Sequence, residues 1–87
     1  KLIQGVLEKQ SDIDKIITTH APAWPINQMS IVDKNILRIS IFEIVFNDET
    51  PLKVSINEAV ELGKIFGTNN SPKFINGVLG SISKKYN

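Results

Sequence analysis

Cysteine is absent from the chain, which excludes a disulfide framework, a thiolate nucleophile and any Cys-type zinc site. That usage suits a reducing cytosol. No apolar run exceeds the three residues Ile44, Val45 and Phe46, whereas a transmembrane helix needs ~20 largely apolar positions and a signal peptide a run of ~7 to 15. Neither a membrane span nor a secretion signal is expected, and the expected location is cytoplasmic. Histidine occurs once, as His20, without HxxxH or HxxE spacing, so no metal centre is expected. The same scarcity removes a Ser-His-Asp constellation, because the lone histidine precedes a segment with two prolines and no glycine-rich elbow presents a serine. Walker and Rossmann glycine patterns are also missing. No enzymatic activity and no cofactor are expected.

What is present suits a folding chain. Hydrophobic residues make up 41% and charged residues 22% of 87 residues, enough apolar content for a core and little enough length for one domain over residues 1–87. The formal net charge of +1 hides an asymmetry. Residues 1–61 carry six basic and nine acidic side chains, whereas residues 62–87 carry Lys64, Lys73, Lys84 and Lys85 and no acid. Clustered lysines without acids favour a polyanion, although they also make an ordinary solubilising face.

Helical spacing dominates the apolar pattern. Leu2, Ile3, Val6 and Leu7 place the chain start inside an amphipathic helix, an abrupt beginning that suggests a longer molecule. Ser11-Asp12-Ile13-Asp14 reads as a capping arrangement opening a second helix over about 12–20. His20 at its end is placed to serve the last carbonyls. Ala21-Pro22-Ala23-Trp24-Pro25 cannot continue a helix and reads as a linker that Trp24 plugs into the core. Residues 30–47 are apolar almost all round a helical projection, with a narrow polar stripe of Asp33, Ser40 and Asn47, which predicts a buried central helix. The charges on that helix, Arg38 and Glu43, must pair or reach the rim. Ser55-Ile56-Asn57-Glu58 matches the capping box S-x-x-E. The helix it opens has an apolar stripe of Ile56, Ala59, Val60, Gly63 and Phe66, pairs Glu61 with Lys64 on its wet face and stops at Gly67. Asn70 or Ser71 caps a last helix with Pro72 in its first turn, and this helix buries Phe74, Ile75, Val78, Leu79 and Ile82. Gly77 and Gly80 within it read as marks of close helix packing. The predicted class is all-α, about five helices around the central one.

The junction Asn70-Ser71-Pro72-Lys73-Phe74 is the most suggestive site. A helix N-terminus offers free N–H groups and partial positive charge to a phosphate, Lys73 adds a full charge, Phe74 can stack on a base, and Lys64 stands in the preceding helix. The plainer reading makes Phe74 core, Lys73 solvated and Ser71 a cap.

Three blocks give these residues a family. Asp33-Lys34-Asn35-Ile36-Leu37-Arg38-Ile39-Ser40-Ile41-Phe42-Glu43, then Val54-Ser55-Ile56-Asn57-Glu58-Ala59-Val60-Glu61-Leu62-Gly63-Lys64-Ile65-Phe66-Gly67, then Ser71-Pro72-Lys73-Phe74-Ile75-Asn76-Gly77-Val78-Leu79 strongly resemble the NusB family of transcription antitermination factors. The resemblance runs from about residue 1 to residue 83. It implies a NusB-like helical bundle and RNA binding: the family takes the boxA element of ribosomal RNA operon leaders as a heterodimer with NusE, a small-subunit ribosomal protein, within an RNA polymerase antitermination complex. By resemblance Asn70, Ser71, Lys73 and Phe74 fall where the family contacts RNA, while Asp33, with Gln28 and Met29, faces the ribosomal protein.

Two departures stand out. The family's arginine-rich start and first helices have no counterpart, so the chain is expected to be a fragment. An apolar patch on the central helix should then be exposed, to be covered by a second copy in a homodimer, by a separate N-terminal segment or by the Trp24 linker collapsing onto it. Asn70 often has an acidic counterpart in the family, and a neutral side chain repels phosphate less. A NusB-like domain also precedes the catalytic domain of ribosomal RNA cytosine-5 methyltransferases, which is the alternative reading. A third is a structural interaction module without RNA binding.

Overall fold

The computed structural model describes residues 2–21, 29–47 and 49–86, and among them every regular element is helical. The order is α1 (Leu2–Glu8), α2 (Gln10–His20), α3 (Ile31–Ile41) with a π-helical continuation (Phe42–Asn47), α4 (Leu52–Phe66) and α5 (Ser71–Tyr86). Helix α3 packs against all four others, and α4 and α5 form the most extensive pair. Trp24 and Gln28 lie outside the described residues. No helix among those described is long and apolar enough to cross a membrane.

The core follows the apolar periodicities. Ile13 and Ile17 of α2, Leu37 and Ile41 of α3, and Ile75, Leu79 and Ile82 of α5 are fully buried, spaced as one face of a helix requires. Gly63 lets α4 and α5 approach closely, since a Cβ there would lie 2.9 Å from Ile75 Cδ1. Gly77 and Gly80 do not play that part: a Cβ at either meets no described atom within 4 Å. The spacing of α5 turns both away from the buried face.

Helix starts differ from their sequence signals for a common reason. Ser11 does not cap α2, because Lys9 N–H reaches Gly5 O at 3.0 Å and Ile13 N–H reaches Lys9 O at 2.9 Å. Helical hydrogen bonding thus runs through the α1–α2 junction and leaves no free donor to cap. Likewise α4 starts one turn before the capping box. Val54 and Ser55 N–H groups both reach Pro51 O, at 3.0 and 3.1 Å. Ser55 is therefore buried inside the helix with its hydroxyl unpaired among the described residues, and Glu58 lies exposed. Ser30 caps α3 as its type suggests, accepting from Asp33 N–H at 3.0 Å.

The central element is not one regular helix. After Ile41 it widens into the π-helical turn, which stacks Phe42 on Phe46 with centroids 6.3 Å apart. Lys9 lies over the Phe46 ring at 5.5 Å, and Gly5 leaves room for the Phe42 ring, which a Cβ would overlap. Most exposed large apolar side chains lie off α3: Val54, Leu62, Ile65 and Phe66 belong to α4 and Leu7 to α1, while Ile31 begins α3. Phe66, expected within the buried stripe, is 64% exposed in the last turn of α4.

The charges of the central helix divide. Arg38 pairs with Asp14 of α2 through Nε to Oδ1 and Nη2 to Oδ2, both 2.9 Å. Glu43 makes no ion pair among the described residues. Burial, and then the Glu58 carboxylate, raise its pKa above the ordinary 4.5. A carboxyl whose folded pKa is raised opposes folding once ionised, so its effect is absent below the ordinary value and grows as pH rises through the window up to the folded value. Glu43→Gln is accordingly expected to raise the melting temperature at neutral pH and leave it unchanged below about pH 4. A neutral-pH melting temperature that falls would show that the ionised carboxylate has a stabilising partner.

Candidate nucleic-acid interface

The turn between α4 and α5 is built by Gly67, Thr68 and Ser71. The Ser71 hydroxyl does not point along α5 to cap it; it accepts from Thr68 N–H at 2.9 Å and lies 3.4 Å from Thr68 Oγ1. Thr68 Oγ1 in turn accepts from Asn70 N–H at 3.3 Å. Ser71 is 1% exposed, so it holds the turn and offers little surface to a ligand. Gly67 is needed for space and not for conformation. Its φ of −98° suits any residue, but a Cβ would lie 2.6 Å from Ser71 Cβ and 2.8 Å from Gly63 O.

This packing decides what the first turn of α5 presents. Ser71 N–H reaches Thr68 O and Phe74 N–H reaches Asn70 O, both at 3.1 Å, and Pro72 has no N–H. The Lys73 N–H is left without a carbonyl from the turn, and the exposed Lys73 side chain makes no ion pair among the described residues. Asn70 is exposed and Phe74 is half-buried, packed against the core. The turn therefore brings together one ammonium, one backbone donor, one amide side chain and one half-buried aromatic residue. That set suits a phosphate and an adjacent base.

Other expected site residues are placed differently. Lys64 is paired with Glu61 at 2.9 Å on the wet face of α4, as the sequence spacing suggests, and its charge is locally balanced. Asp33 is half-buried in the first turn of α3 with Oδ1 unpaired among the described residues. Met29 is 5% exposed and belongs to the core. His20 does not serve the carbonyls of its own helix. Its Nδ1 lies 2.8 Å from Ser81 Oγ, a link from α2 to α5, while Ala21 N–H takes the Ile17 carbonyl at 2.8 Å. Gly67 and Thr68 are the residues that sequence reasoning passed over. Their signal is the run Gly67-Thr68-Asn69-Asn70-Ser71, where a hydroxyl three residues before a serine can close a turn with it.

With this geometry in hand, comparison with known proteins is decisive. The family model described as the NusB family matches residues 1–84. The chain belongs to the NusB family. Among its NusB relatives, the transcription antitermination protein NusB of Dehalococcoides mccartyi (strain ATCC BAA-2266 / KCTC 15142 / 195) is 49% identical over 84 residues, covering 97% of this chain and 59% of the relative. The NusB of Roseiflexus sp. (strain RS-1) is 51% identical over 88 residues, covering 99% and 62%. The solved structure of Thermotoga maritima NusB superposes with a TM-score of 0.93 at 41% identity, covering 98% of this chain and 60% of that one. The NusB fold is thus shared across nearly the whole chain, which spans about three-fifths of the length of these relatives.

Proposed function

We propose that this chain is an RNA-binding part of a transcription antitermination factor, taking a boxA-type RNA on the first turn of α5. The observation that carries the reading is the exposed Lys73, next in sequence to the half-buried Phe74, in the first turn of a 16-residue helix that contains no acid. The neutral Asn70 beside them adds no repulsion. Membership of a family whose relatives are called antitermination proteins supports the same reading. The chain acts in the cytoplasm, with RNA polymerase in an antitermination complex. The test is an RNA titration at several salt concentrations. Lys73→Ala is expected to weaken binding and to lower the slope of log affinity against log salt by about 0.7, the share of one phosphate on a single strand. Identical affinity and slope in mutant and parent would remove Lys73 from the interface.

The protein partner in this reading is NusE, the small-subunit ribosomal protein, meeting the start of α3 around Asp33. The unpaired Asp33 Oδ1 at a half-buried position supports it, since a carboxylate so placed gains from a cation brought by a partner. Sedimentation of the two proteins together is expected to give a heterodimer that Asp33→Lys dissociates. A homodimer of this chain that excludes the ribosomal protein, or a heterodimer indifferent to Asp33→Lys, would move the interface elsewhere.

A further inference from the structure

We propose that the exposed face of α5 beyond its first turn, from Lys73 past Gly77 and Gly80 to Lys84, is a phosphate track that carries the RNA strand along the helix. The inference rests on the RNA reading of the first turn and extends it to a second cation about 17 Å away, eleven residues on at ~1.5 Å each.

Charge carries the argument. Lys73 and Lys84 are both exposed, and no acidic residue follows Glu61 anywhere in the chain. The two lysines lie eleven residues apart, just over three turns at about 3.6 residues each, so they stand on the same side of the helix. Ile75, Leu79 and Ile82, all fully buried, define the opposite side. The lysine side is thus the outer surface of α5, with a cation near each end and no acidic side chain on the helix.

Between the lysines the surface is bare. Gly77 and Gly80 fall at the i+4 and i+7 positions from Lys73, in line with Lys84 at i+11. A Cβ at either position would meet no described atom within 4 Å. Packing within the described residues therefore gives no reason for two glycines inside a helix, where each is unfavourable relative to alanine. Without side chains there, a sugar-phosphate backbone can lie close along the helix while the lysines grip it at both ends. The plainer account of Lys84 is a cation favouring the C-terminal end of the helix dipole, and it predicts an effect on stability and none on RNA.

The length of the track supplies the test. A stacked strand rises ~3.4 Å per nucleotide, so reaching Lys84 takes about five nucleotides beyond the one held at Lys73. Affinities are measured for two boxA-type RNAs, one of about 5 nucleotides and one of about 16, with the parent chain, Lys84→Ala and Gly77→Leu. Lys84→Ala is expected to weaken the long RNA about threefold or more and to lower its salt slope by about 0.7, with the loss confined to the long RNA. Gly77→Leu, which places a helix-favouring side chain in open space, is expected to weaken the long RNA likewise while the melting temperature holds or rises. Unchanged long-RNA affinity in both variants, or an equal loss on both RNA lengths, overturns the track and leaves the first-turn site intact. If Gly77→Leu instead disrupts association with the ribosomal protein and spares RNA, the bare face is a protein contact and the track is wrong. Failure of the parent to bind either RNA overturns the first-turn reading and the track with it.

Discussion

Replacing Gly67 by alanine is expected to destabilise the chain by about 1 to 3 kcal/mol, the usual cost of overpacking a tight site, and to weaken RNA binding at the same time. The added methyl would sit 2.6 Å from Ser71 Cβ and 2.8 Å from the Gly63 carbonyl oxygen. Neither is the free end of a long side chain, so relief must come from the backbone at the end of α4 or the start of α5. Either movement pulls the Thr68 N–H from the Ser71 hydroxyl, now 2.9 Å apart, and shifts the first turn that presents Lys73 and Phe74. For a chain of this size the loss corresponds to a drop in melting temperature of about 4 to 8 °C per kcal/mol. Thermal unfolding followed by circular dichroism, paired with an RNA titration, reads both effects. An unchanged melting temperature would show that the α4–α5 turn has slack that the close approach of Gly67 to Ser71 does not suggest.

Arg38→Ala is expected to cost about 2 to 3 kcal/mol, between the near-zero value of exposed ion pairs and the ~3 to 5 kcal/mol lost on breaking a buried one. The pair stands between those limits, with side chains 17% and 28% exposed. Its two parallel bonds of 2.9 Å hold α2 against α3 in a fixed orientation. Removing the guanidinium leaves the Asp14 carboxylate half-buried without its cation. Adding Asp14→Ala to Arg38→Ala should therefore cost little more, and a double-mutant cycle gives the coupling. Additive losses from the two single variants would mean that the pair is not coupled and that the Arg38 stem matters through packing alone.

The helical class, the buried faces of α2, α3 and α5, and the Glu61–Lys64 pair follow from spacing, because residues three and four apart must share a side. Helix starts were less legible. Ser11 and Ser55 carry the chemistry of caps, yet a cap is useful only at a helix start, and helical bonding already runs through both positions: Ile13 N–H reaches Lys9 O, and Val54 and Ser55 N–H reach Pro51 O. The π-helical turn at Phe42–Asn47 has no local signature; it accompanies the contact of the Phe42 ring with α1 at Gly5. Glycines show the limit most clearly. Gly63 and Gly67 are fixed by atoms across the α4–α5 pair, while Gly77 and Gly80 face open space, and sequence spacing within one helix says nothing about what stands opposite.

The site divides in the same way. That Lys73 stands exposed and Phe74 half-buried in the first turn of α5 agrees with the local pattern of a basic and an aromatic residue just inside a proline-marked helix start. The direction of the Ser71 hydroxyl was not legible. A serine at that place can serve its own helix or the preceding turn, and the Thr68 N–H settles the choice. Arg38 had to find a partner, but that Asp14 would supply it depended on how α2 crosses α3, information that no single segment contains.

Backbone amide chemical shifts of the 15N-labelled chain, followed as a boxA-type RNA is added, test the central claim most directly. The account predicts that the largest changes fall on Thr68 to Phe74, with Lys73 prominent, and that raising salt reverses them as phosphate contacts are lost. Changes confined to the α2 and α3 surfaces, with the amides of Thr68 to Phe74 unmoved at saturating RNA, would contradict it.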